Sequence, residues 1–171
     1  LPYRVFLNKA YNDDGFEASY LIGPGEIGFG VFRGEDFPFG NTAANEGQGS
    51  DAWSAYYKSS FNMSSNEEIA FNLYHLSGKS RGLNARISTE DNVTFKGDSD
   101  LSVINIDYEN SYGSDSKFKL STEYFYRNQE GTFEDSEEST GEVNFDDNDS
   151  GYYIALVNKF NDNLSMGFRY S

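Results

Sequence analysis

An all-β protein built from antiparallel up-and-down strands is predicted by three features of the chain. Apolar and polar residues alternate with a period of two through most of its length. Aromatic residues are dense, with 13 Tyr and 15 Phe in 171 residues. Short and long polar connections follow one another in strict turn. The alternation matters most, because only a period of two sends successive side chains to opposite faces of a strand. Tyr and Phe suit the pleated surface of a sheet, and abundant Gly, Asn, Ser and Asp suit its turns.

The clearest strand is the last. Leu164, Met166, Phe168 and Tyr170 alternate with Ser165, Gly167, Arg169 and Ser171. Before it, Tyr152, Ile154, Leu156 and Phe160 share a face that Asn158 interrupts, and Asn161-Asp162-Asn163 supplies a tight turn between the two. Upstream, Phe118, Leu120, Thr122, Tyr124 and Tyr126 oppose Lys117, Lys119, Ser121, Glu123 and Arg127. The runs 104–109, 69–74, 53–61, 27–31 and 16–22 repeat the pattern, and Tyr3-Arg4-Val5-Phe6-Leu7 opens the chain in the same manner. The reading is therefore about 8–9 strands, nine if the first run counts, in one domain over 1–171.

The connections extend the prediction. Gly23-Pro24-Gly25, 62–67, 111–116 and 161–163 are short, whereas 34–51, 77–100 and 128–150 are long and polar. Long loops segregated to one end have no purpose in a soluble sandwich. In an outer-membrane barrel, short turns face the periplasm and long loops face outside. Trp53, Phe61, Tyr108, Tyr126, Tyr152, Phe160 and Tyr170 fall near predicted strand ends, where interfacial aromatic girdles lie. The expected architecture is an antiparallel transmembrane β-barrel or a partial barrel. A mean hydropathy of −0.68 does not oppose this, because membrane strands need apolar residues only at alternate positions. Single-chain bacterial barrels have even strand numbers. The odd count, with a final strand running outward, predicts a chain truncated from a longer barrel.

Ordered motifs carry a resemblance. They are Leu1-Pro2-Tyr3-Arg4-Val5-Phe6, Asn12-Asp13-Asp14-Gly15, Arg33-Gly34-Glu35-Asp36-Phe37-Pro38 and Phe95-Lys96-Gly97-Asp98-Ser99-Asp100-Leu101. Lys119-Leu120, Glu123-Tyr124-Phe125, Arg127 and Gly167-Phe168-Arg169-Tyr170 follow. Together they resemble outer-membrane barrels labelled zinc-regulated TonB-dependent receptors or porins. The resemblance implies the outer membrane of a Gram-negative bacterium and further strands beyond Tyr170. Members of that family often carry a His-rich external loop, but residues 78–100 contain no histidine. The zinc association therefore does not transfer on residues. This span also shows no plug domain and no TonB-box-like segment.

Charge and residue types narrow the function. Thirteen Lys+Arg against 28 Asp+Glu give a net charge of −15, which would repel nucleic acid. Without cysteine there is no disulfide or thiolate metal site. His75 is the single histidine, too few for a zinc site or a proposed catalytic triad, and reads as an ordinary residue at a strand end. Nine carboxylates crowd residues 130–149, and Asp146, Asp147 and Asp149 are the candidates for a loose oxygen-ligand metal site. A solvated, self-repelling loop is the plainer reading, and a negative mouth that concentrates cations is a third. Lys58, Asp107, Lys119, Glu123, Lys159 and Arg169 fall on the polar strand faces and are the candidate lumen-lining residues. Acid–base pairing that braces the interior competes there with a selectivity lining. No cofactor and no enzyme chemistry is indicated. The expected partners are outer-membrane lipid or detergent and a small solute or cation in transit, with nothing in the sequence fixing an oligomeric state. The expected function is porin-like or receptor-like passage of small solutes or metal ions. The alternative is a soluble lectin-like binding module that recognises ligands with its acidic loops.

Overall fold

The computed structural model describes residues 13–34, 39, 52–84, 93–135 and 141–171. Eight strands form one antiparallel sheet, and no described residue is helical. In chain order they are β1 (Gly15–Ile22), β2 (Gly25–Phe32), β3 (Ala52–Asn62), β4 (Glu67–Asn84), β5 (Val93–Ser111), β6 (Lys117–Asp135), β7 (Val143–Asn161) and β8 (Leu164–Tyr170). Spatial order equals sequence order, with β1 and β8 as edges that do not pair with each other. The first predicted strand, 3–7, lies outside the described residues.

The β1–β2 hairpin shows why the short connections can be so tight. Only Gly23 and Pro24 separate Ile22 from Gly25, and these two pair directly. Gly23 takes φ 57°, open to glycine at little cost, and the proline ring sets the next φ. All four short turns lie at one end of the sheet, and the connections from β2, β4 and β6 lie at the other.

At that other end the predicted long loops are corrected. Segments expected as loops over 77–100 and 128–150 continue as paired strands to Asn84 and Asp135, and resume at Val93 and Val143. The four central strands thus reach 18 or 19 residues. The charge density of 128–150 predicts a solvated, self-repelling loop. Pairing with β5 and between β6 and β7 instead satisfies the backbone groups of 128–135 and 143–150. His75, read as a strand-end residue, accordingly sits within β4.

Cross-strand register divides the side chains into two faces. One carries Tyr20, Ile27, Tyr57, Leu73, Ile104, Tyr124 and Tyr152 in a single row across β1 to β7. The other carries the buried residues Ala52, Leu76, Leu101 and Phe125, and Phe39 of the β2–β3 connection is packed against them with no exposed surface. A groove on this second face is lined from Glu17 of β1 to Glu123 of β6, so the sheet curls around it. We call the two faces outer and inner.

The outer and inner faces as a candidate functional site

Pairing places all six predicted lumen-lining residues on the inner face. Lys58 aligns through Asn72 and Asn105 with Glu123. Asp107 aligns through Ser121 and Ala155 with Arg169, and Lys119 and Lys159 share their parity on β6 and β7. Lys119 pairs with Asp107 at 3.7 Å, and Arg127 pairs with Asp149. Lys58 Nζ lies 4.1 Å above the Tyr56 ring, and the Arg169 guanidinium 4.3 Å above that of Tyr153. Lys159 instead reaches Asp162 in the β7–β8 turn at 2.6 Å. The bracing reading of these charges has a physical counterpart in the Lys119–Asp107 and Arg127–Asp149 pairs.

The outer face is rich in exposed apolar side chains. Phe16, Tyr20, Phe29, Ile104, Ile154, Met166 and Phe168 all stand exposed on it, the least of them 41 % open. Along β5 the outer positions Ser102, Ile104, Ile106 and Tyr108 lie between Asp100 and Asn110. The ten steps from Asp100 to Asn110 span about 33 Å along a strand, or about 23–27 Å in height at the 35–45° tilt usual in barrels. An outer-membrane apolar band is about 25 Å tall.

Beyond that band the polarity of the two faces exchanges. On the outer side, Lys79 meets Asp98 at 3.6 Å, and Lys96 meets Glu134 at 2.6 Å and Glu142 at 3.5 Å. The Glu134 carboxylate, accepting a hydrogen bond from Lys96, holds that ammonium group's pKa above its ordinary value. On the inner side Phe95, Phe133 and Phe145 gather, with ring centroids 5.4, 5.9 and 4.5 Å apart. Phe95 lies over Gly97, whose partner is Gly131, and a Cβ on Gly131 would come 2.1 Å from the Lys96 carbonyl oxygen. Sequence alone does not bring this cluster together, because Phe95 stands 38 positions before Phe133 and only strand pairing makes them neighbours.

His75 marks the border between the two zones. Its Nδ1 is 3.0 Å from Ser102 Oγ, its Nε2 is 3.8 Å from Asp100, and its ring leans on Trp53 with centroids 5.1 Å apart. The candidate metal ligands do not converge. Asp147 and Asp149 share the inner parity of β7, whereas Asp146 points to the other face. Among the described residues no group of three or more His, Cys, Asp or Glu could hold an ion. Among the described residues no helix is long and apolar enough to cross a membrane. Comparison with protein-family models, curated proteins and solved structures returns no match.

Proposed function

We propose that this chain forms part of the wall of an outer-membrane β-barrel through which small solutes pass. The observation that carries the reading is the exchange of polarity along β4 to β7. A sheet in water has no reason to expose Ile and Phe over about 25 Å of its height and then turn its aromatics inward behind an ion-paired exterior. A sheet leaving lipid for water does. The inner face, with its acids, bases and amides, then lines an aqueous interior. Closure follows as a requirement, because lipid tolerates no unpaired strand edge. The β1 and β8 edges must therefore be paired in the membrane. The family resemblance in the sequence points to the same compartment, while the residues supply no basis for zinc.

The lectin-like alternative needs a second layer over the outer face, and none is present among the described residues. Extraction decides between the two. The barrel reading expects the protein in the membrane fraction, released by detergent, with the ends of β4 to β7 resisting protease when reconstituted in vesicles. A monodisperse monomer in detergent-free buffer would overturn it.

A further inference from the structure

On the inner face one register row is polar on six consecutive strands. Glu26, Lys58, Asn72, Asn105, Glu123 and Tyr153 follow one another from β2 to β7. Its members are linked. Asn72 Nδ2 donates to Asn105 Oδ1 at 2.6 Å, and Asn105 Nδ2 approaches Glu123 Oε1 at 3.5 Å. Asn105 is only 7 % exposed, so its orientation is held by these partners. The next row toward the long-strand end is apolar and aromatic: Tyr56, Tyr74, Val103 and Phe125. The Tyr56 hydroxyl donates to Glu26 at 2.7 Å, tying the two rows together. Its ring lies along the wall over Gly28, where a Cβ would strike it at 2.2 Å. The Tyr74 ring stands beside it, centroids 6.1 Å apart and tilted by 40°. The aromatic row, with Lys58 and Glu123 of the polar row, borders a groove of about 540 Å³, within the usual range for a small-molecule site of roughly 300–1,000 Å³.

The charges of this row decide what it suits. A filter for ions carries a ring of one sign. Here Glu26 and Glu123 flank Lys58, so the signs alternate and no single-sign field develops. What remains at the groove is a donor (Lys58) and an acceptor (Glu123) beside the Tyr74 ring, with Asn72 and the buried Asn105 linking the row behind them. Such a wall is complementary to a neutral solute that both donates and accepts at short intervals and has an apolar C–H face to lay on a ring. Resting on the barrel reading above, we propose that this wall binds saccharides, the sugar stacked on Tyr74 and hydrogen-bonded by Lys58 and Glu123.

The test is calorimetric titration of the whole, detergent-solubilised protein with maltose, sucrose, raffinose and chitobiose, and with free lysine and glutamate as charged solutes. Titration reads the wall directly, whether or not the lumen is open. At least one saccharide is expected to bind while neither amino acid does, and Tyr74→Ala is expected to weaken that binding roughly tenfold or more. Tyr126→Ala, on the outer face, should leave it unchanged. Tyr74→Phe keeps the ring and should retain the affinity, which a merely structural hydroxyl would not. Binding of lysine or glutamate with no saccharide, binding of nothing, or saccharide affinity indifferent to Tyr74→Ala would each overturn the proposal. Potassium conductance of the same protein in planar bilayers separates this failure from the larger one. Channels without saccharide binding leave the barrel standing and remove its proposed solute, whereas a protein that never enters the bilayer removes both.

Discussion

Replacing Ile106 by arginine probes the outer face where the consequence is largest. On β5, Ile106 is six residues from Asp100 and four from Asn110, about 20 Å and about 13 Å of strand. At a barrel tilt this puts it within a few ångströms of the middle of a band about 25 Å tall. Its side chain is 41 % exposed and has nowhere to withdraw. A lipid-facing arginine at that depth costs about 2–4 kcal/mol, or roughly 30- to 1,000-fold in the folded population. If the outer face met water instead, the same substitution would stay within about 0.5 kcal/mol, as surface changes usually do. Ser121→Arg is the control, because Ser121 pairs with Asp107 on the inner face and a long side chain there can stay hydrated. The assay is urea unfolding in vesicles, with the two variants measured beside the parent. A penalty for Ile106→Arg below about 1 kcal/mol, or one matched by Ser121→Arg, would refute the facing assigned to the sheet.

Three further outcomes follow from the same geometry. Met166→Arg should cost only about 0–1 kcal/mol in vesicles, since Met166 sits in the row of Asn110 and Asn158 at the turn end of the band, and Ser165→Arg should cost less still; a Met166→Arg penalty as large as that of Ile106→Arg would misplace the lower border. Gly131→Ala should lose about 1–3 kcal/mol by overpacking against the Lys96 carbonyl and Gly97; hydrogen exchange is expected to rise in 93–100 and 129–135 while the band stays protected, and uniform exchange would deny the extension its own packing. The Lys96–Glu134 pair raises the folded pKa of Lys96, so its contribution is full below the unfolded value of 10.5 and fades as pH rises through the raised one. Protease resistance of the strand extensions should therefore be flat from about pH 8 to about pH 10 and fall above that range, with Lys96→Met abolishing the fall; a loss already complete by about pH 9 would contradict the sign.

What the sequence determined by itself was the local half of the fold. Alternation between neighbouring residues fixes which side chains share a face, and it did so for β8, for Phe118 to Tyr126 and for Ile104 to Tyr108 without any knowledge of partners. The two-residue turn at Gly23-Pro24 is equally local, because a positive φ before a proline needs nothing but those residues. The candidate inner charges followed from the same parity. Tertiary structure decided where strands stop, because a strand lasts as long as it is paired. Past the band, Lys96, Glu130 and Asp146 turn outward and glycines and aromatics turn inward, so the composition reads as a loop until β5, β6 and β7 are aligned. Tertiary structure also carried Phe39 to the inner wall and assembled the row from Glu26 to Tyr153. Those residues are scattered across more than a hundred positions of sequence, and register alone makes them neighbours.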